Sequence, residues 1–363
     1  MSRDHFIIPI FVPHYGCPHD CVFCNQRRIT GLSTDVTPQY VRDTIEEYLY
    51  TFPKGMITVE VAFYGGSFTG IDKEIQKELL EIPLEYKNNG KIDGIRLSTR
   101  PDYIDEEILD LLKEYGVDTI ELGVQSLDDT VLYRSGRGHY SQQVYMASKL
   151  IKEYGFNLGL QMMVGLVGDS KEKAIYTAKE FIKIDPFCVR IYPTLVIKDT
   201  YLEKMYKDGK YTPLSLEEAV DIAANLLMIF ECYNIHVIRV GLQPTENIRL
   251  GRDVVAGPFH PSFRQLVESY IYRMVLEEYL DQLKKDIVGE KLIIEISNKN
   301  ISNVVGQKSC NIRYLVNKYK LKKIKVYGTN LDKDIIDIFI DDFNDKISRK
   351  EIIKNYLKTK GII

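Results

Sequence analysis

The 363-residue chain has no tryptophan, only six cysteines, and no unbroken apolar run of the ~18 residues that would span a bilayer. The last absence excludes a membrane-spanning helix. No excess of one charge sign appears either. The net charge is −3 with 27% charged residues, so bulk composition demands neither a nucleic acid nor a membrane surface. Without Trp, the aromatic content is 25 Tyr and 14 Phe, with polar-tipped rings in the majority. The start, "MSRDHFIIPIFVPHYG", carries a short apolar stretch but no small-residue cleavage site, and reads as no signal peptide. The cysteines lack the even spacing of a secreted disulfide framework, which favours a reducing cytoplasm. Internal repeats and low-complexity tracts are absent. What remains is 45% hydrophobic, enough for one large core or two unequal ones.

Short apolar runs alternate with longer amphipathic ones. Strands are expected at 5–12, 57–65, 94–100, 119–126, 157–165 and 188–194, with helices near 38–52, 73–89, 105–115, 141–154 and 170–184. Asp72 and Asp105 stand where N-caps belong, and Gly116 where a helix should stop. Strands alternating with helices of this length imply βαβ units and a parallel sheet. Six such units suit an open partial (βα)6 barrel of the TIM type; a flat doubly wound sheet is the alternative. In either, the working site lies at the C-terminal strand ends. Past residue 200 the alternation weakens: a helix is expected over 215–233, a strand over 236–242 and a long helix to about 285. The expected division is a barrel over 1–245, a connecting loop and helix over 246–285, and a small α/β domain over 286–363.

Against this background the cysteines are crowded. "GCPHDCVFCNQ" (16–26) places Cys17, Cys21 and Cys24 within eight residues, whereas Cys188, Cys232 and Cys310 are scattered. Three thiolates do not complete a structural zinc site, so a zinc reading needs one of the other cysteines, or His14 or His19, as fourth ligand. A 4Fe-4S cluster held by three cysteines has a different logic: one iron stays open to a small molecule. Phe23, just before the third cysteine, would shield one side of it.

CxxxCxxC with an aromatic before its last cysteine, directly after a first strand, resembles the radical S-adenosylmethionine (SAM) superfamily. Further motifs sit at the expected strand ends: "YGGS" (64–67), "STRPD" (98–102), "GVQS" (123–126) and "QMMVG" (161–165). The resemblance implies a 4Fe-4S cluster on Cys17, Cys21 and Cys24, with SAM as second cofactor. It implies that Gly65, Gly66 and Ser67 lie near the methionine end of SAM, where close backbone approach needs residues without a Cβ. By similarity to oxygen-independent coproporphyrinogen oxidase-type enzymes, Ser98, Gln125, Arg137 and Gln161 match SAM-contacting positions; Ser98 and Gln161 replace carboxylates of that pattern. The implied chemistry is reductive cleavage of SAM to a 5′-deoxyadenosyl radical that abstracts hydrogen from the substrate, fed by a low-potential electron donor.

A longer resemblance, over about 5–245, is to the Elongator catalytic subunit and its bacterial relatives, which act on the wobble uridine of tRNA. It rests on "RLSTRPDYID" (96–105), "ELGVQSLDDTVLYRSGRGH" (121–139) and "VRIYPTLVIKDTYLEKMYKDGKYTPLSLEEAVD" (189–221). Those relatives add an acetyltransferase domain. No pantetheine-binding turn is visible after residue 250, so the expectation is an Elongator-like radical SAM protein lacking that domain.

"ISNVVGQKSCNIRYL" (301–315) resembles the helix–GxxG–helix core of a KH domain, with Ser309 in place of the second glycine. Residues 291–325 hold nine Lys or Arg against one acid, Glu295, in a chain that is net acidic. Gly306 and Lys308 are therefore candidate RNA contacts, although a solvated lysine face is the plain alternative. Two functions are weighed: a radical enzyme that modifies RNA, with tRNA as the expected target, and one acting on a small molecule or peptide with the C-terminal domain as lid or dimer surface. A non-catalytic iron–sulfur protein is a third.

Overall fold

A computed structural model describes residues 5–12, 21–25, 36–53, 55–242, 248–283 and 285–363. It divides into two units, 1–215 with 235–259, and 216–234 with 260–363.

In the first unit the elements follow one another as β1 (His5–Val12), α1 (Pro38–Thr51), β2 (Thr58–Gly65), α2 (Lys73–Asn88), β3 (Gly94–Thr99), α3 (Glu106–Glu114), β4 (Thr119–Gln125), α4 (Asp129–Arg134), α5 (Ser141–Glu153), β5 (Asn157–Val164), α6 (Lys171–Ile184) and β6 (Cys188–Pro193). Then come the two-residue β7 (Val196–Ile197) and α7 (Tyr201–Lys207). After α8 (Leu216–Cys232), which belongs to the other unit, the chain returns with β8 (His236–Val240) and β9 (Val254–Ala256). Among the described residues one seven-stranded sheet runs in the order β1-β2-β3-β4-β5-β6-β8, parallel at every pairing.

Each strand joins the same growing edge, and the order never reverses. That excludes the doubly wound alternative, whose order turns back at a switch point. The sheet is the curled half-barrel expected, with one correction: β8 makes it seven-stranded rather than six. The "HVIRV" run was legible as a strand, but not its pairing beside β6, because a helix of the other unit separates them in sequence.

Local chemistry explains the boundaries. Asp72 accepts a hydrogen bond from the Glu74 amide and Asp105 from that of Ile108, each taking up a donor that has no partner inside its helix. Side chains alternate across each strand. Ile95 and Leu97, Ile120, Leu122 and Val124, and Leu158, Leu160 and Met162 are all buried in the apolar core. The alternate set, Arg96 and Ser98, Glu121, Gly123 and Gln125, Gly159, Gln161 and Met163, faces the other way.

The second unit contains α8, α9 (Phe263–Gln282), β10 (Lys291–Ser297), α10 (Ile301–Val305), α11 (Cys310–Tyr319), β11 (Lys323–Thr329), β12 (Ile335–Ile340), β13 (Phe343–Ser348) and α12 (Arg349–Thr359). Its sheet order is β11-β10-β12-β13. β10 and β11 are parallel neighbours joined through α10, the "GQKS" loop and α11, the order expected of the KH-like core. The unit is larger than expected. Helix α8 was assigned to the barrel, and α9 to a connection, whereas both cluster with the C-terminal elements. The reason is partly ionic: Arg349 at the start of α12 is buried and pairs with Glu231 on α8 (2.7 Å) and Glu268 on α9 (3.5 Å). Among the described residues no helix is long and apolar enough to cross a membrane.

Candidate cofactor site at the barrel mouth

The inward side chains form two levels. The lower is a buried charge network. Glu121 accepts from Arg96 Nη1 (2.9 Å), from Arg190 Nη2 (2.9 Å) and Nε, and from the Tyr64 hydroxyl (3.3 Å). Arg96 also donates to Glu60 (2.6 Å), and Arg190 to Tyr64 (2.6 Å). Burial alone would raise the Glu121 carboxyl, but the Arg190 and Arg96 guanidiniums outweigh it and hold it below its ordinary value. Beside it, burial and then the Glu121 charge push the Cys188 thiol up to about 12. Cys188 is thus a neutral packing residue, whereas Cys232 is half-buried and Cys310 exposed.

The upper level lies at the C-terminal strand ends and contains the residues singled out from sequence. Gly65 closes β2 at φ +106°, which side chains rarely adopt. The Gly66 amide donates to the Val12 carbonyl (3.2 Å), and Ser67 behind it is buried. Ser98 is half-buried near the end of β3. Gln125 ends β4 with a left-handed backbone (φ +71°), a strained state for a buried side chain and a mark of functional positions. Its Oε1 accepts from Gln161 Nε2 (3.3 Å) on β5.

Arg137 comes from the loop before α5 and is buried. It donates to the Gly123 carbonyl (2.5 Å) and to Cys21 Sγ (3.2 Å). Its cation faces a sulfur that carries negative charge when it ligates iron. Arg100, which sequence reasoning passed over, holds this arrangement. It grips Asp102 with two bonds (2.9 and 3.0 Å), donates to the Arg137 carbonyl, and brings Nη1 to 3.9 Å from Cys21 Sγ. The available signal was its place in "STRPD" at a strand end. His139 is buried; burial first, then Arg137, lower it to about 3, so it stays neutral.

Cys21 and Cys24 share one turn, the Cys24 amide donating to the Cys21 carbonyl (3.0 Å). Cys17, His14 and His19 lie outside the described residues. Among the described residues no set of three His, Cys, Asp or Glu converges as a metal site. Gly306 and Lys308 belong to the second unit. Two cysteines on one turn, a guanidinium on one sulfur and polar strand ends beside them fit an iron–sulfur cluster with a small polar cofactor.

The geometry therefore defines a cofactor enzyme with its centre at the mouth of a parallel half-barrel. Comparison with known families agrees: residues 11–181 match the Radical SAM superfamily, and 186–273 match the Radical_SAM C-terminal domain. An uncharacterized protein of Methanocaldococcus jannaschii is 30% identical over 237 residues, 61% of this chain and 71% of that protein. The tRNA uridine(34) acetyltransferase of Dehalococcoides mccartyi is 28% identical over 54% of this chain and 50% of its own length. Elongator complex protein 3 of Saccharomyces cerevisiae is 32% identical over 47% of this chain and 34% of its own. The archaeal Methanocaldococcus infernus Elp3 structure superposes with a TM-score of 0.60 at 24% identity, covering 75% of this chain and 63% of that one.

The chain belongs to the radical SAM superfamily, and is an Elongator-like member whose cofactors are a 4Fe-4S cluster and SAM. It spans half or less of the length of the tRNA uridine(34) acetyltransferase and Elongator relatives described.

Proposed function

We propose that the chain is a radical SAM enzyme that modifies RNA, with tRNA as the substrate class. In this reading Cys17, Cys21 and Cys24 hold the cluster. Gly65, Gly66 and Ser67 receive the methionine end of SAM, and Ser98, Gln125, Arg137 and Gln161 its remaining polar groups. The contacts linking Cys21, Arg137 and Gly123, and Gln125 to Gln161, support that assignment. Bound and reduced, the cluster supplies one-electron cleavage of the sulfonium, the hard chemistry that belongs to the cofactor. The chain's own residues orient and insulate. Gly65 lets backbone approach the ligand, Arg137 balances charge at Cys21, and the Glu121 network forms a rigid, water-excluding floor. A low-potential electron donor is the required partner.

The observation that carries the RNA reading is the local charge of residues 291–325 in the second unit. All nine Lys and Arg side chains of 291–325 are exposed. The "GQKS" loop between α10 and α11 is prearranged: Gly306 has φ +75°, and Lys308 (φ +51°) and Ser309 (φ +60°) are both left-handed. Ser309 thus takes the conformation a second glycine would. Gln307 donates to Gln265 (2.8 Å), and buried Asn311 donates to the Ser269 and Val304 carbonyls, fixing the loop to α9. Relatives named tRNA uridine(34) acetyltransferase support the same substrate class.

A side chain at Gly306 would meet Cys310 Sγ at 2.6 Å, so the exposed cations give the cleaner test. Lys308→Glu with Arg313→Glu should weaken tRNA or single-stranded RNA binding at least about tenfold and flatten the salt dependence by about two phosphate contacts. Fluorescence titration at several salt concentrations measures both. Unchanged affinity, or a wild type indifferent to salt, would move the assignment to a small-molecule or peptide substrate.

A further inference from the structure

The turn that carries Cys21 and Cys24 is held from both sides by parts of the barrel unit that supply no ligand. The Val22 amide donates to the Ser135 carbonyl (3.1 Å), and the Val22 carbonyl accepts from the Leu202 amide (2.7 Å). Leu202 is the second residue of α7, so its N–H is one of the first-turn donors that a helix cannot satisfy internally. Here that donor is spent on the cysteine turn. The Val22 and Phe23 side chains pack against Val196, Leu202 and Tyr211, all buried. The Tyr211 hydroxyl in turn donates to the Gly165 carbonyl (2.6 Å) just past β5, anchoring this seat to the sheet. Phe23, half-buried, therefore does more than shield: its side chain packs against a buried cluster of the barrel unit.

From this arrangement we infer that segment 194–211 is a retention clamp for the cluster. Iron loss from a cluster held by this turn follows local opening at the turn, and such openings cost the contacts they break. The Val22 hydrogen bonds and the Phe23 seat are the contacts that opening must break. Leu202, Val196, Tyr211 and Phe23 are thus positioning residues, setting how long the cluster survives rather than what it does. The inference rests on the cluster assignment above.

The test uses whole protein loaded anaerobically with iron and sulfide. A ferrous chelator is added in excess, and the first-order loss of visible cluster absorbance is followed. Leu202→Ala and Phe23→Ala should load normally yet lose iron at least tenfold faster, equivalent to about 1.4 kcal/mol of opening free energy. Phe23→Leu, which keeps an apolar anchor, should fall near the wild-type rate. Leu109→Ala on α3, equally buried but away from the loop, controls for general destabilisation and should release iron at the wild-type rate. Wild-type release rates in both Leu202→Ala and Phe23→Ala, or equal acceleration by Leu109→Ala, would overturn the clamp. Failure of the wild type to take up iron would instead overturn the cluster assignment.

Discussion

Replacing Cys17, Cys21 and Cys24 together by alanine is expected to take reconstituted protein from about four irons per chain to nearly none. Alanine at Cys188, Cys232 or Cys310 should leave loading intact. The contrast follows from position. Cys21 lies at the barrel mouth with the Arg137 guanidinium on its sulfur, and Cys24 shares its turn. Cys188 sits in the charge network, its thiol pushed up to about 12 by burial and the Glu121 carboxylate. Cys232 and Cys310 belong to the second unit. Iron and sulfide analysis after anaerobic reconstitution, with the visible spectrum, reads the result. Stoichiometric zinc without iron would contradict it.

The second large effect is on stability. Glu121→Ala should cost about 3–5 kcal/mol, because it strands Arg96 and Arg190 as buried charges without their shared carboxylate. Urea unfolding of cluster-free protein measures this as a lower midpoint. By contrast, Glu85→Gln, which breaks the exposed Arg42–Glu85 pair, should leave the midpoint nearly unchanged. Equal effects in the two variants would show that the network is not a closed electrostatic unit.

These two predictions draw on different amounts of sequence information. The cysteine cluster was legible because Cys17, Cys21 and Cys24 lie within eight residues and few other purposes crowd thiols so closely. The strands were legible because β/α alternation and caps such as Asp72 are local signals, whereas their order, and the place of β8 in it, came from the sheet pairing. The Glu121 network was not: its partners Tyr64, Arg96 and Arg190 lie on three other strands, and only the curl of the sheet brings them to one carboxylate. Arg100 was hidden for the same reason, since its contact with Cys21 spans 79 residues. Helix α8 was misplaced because sequence adjacency suggested the barrel, while its partner Arg349 lies far down the chain. The pair β12 and β13 with α12 carried no strong motif, and their place is fixed by pairing with β10.

The central claim is that the barrel mouth binds SAM beside a cluster and cleaves it. Iron-loaded protein incubated without oxygen with SAM and dithionite should form 5′-deoxyadenosine, detected by mass spectrometry. Gly65→Val should load iron yet form almost none, because position 65 sits at φ +106°, which a valine rarely adopts, and a side chain there would disturb the proposed backbone approach to SAM. No 5′-deoxyadenosine from fully loaded wild type, or equal amounts from Gly65→Val, would contradict the account.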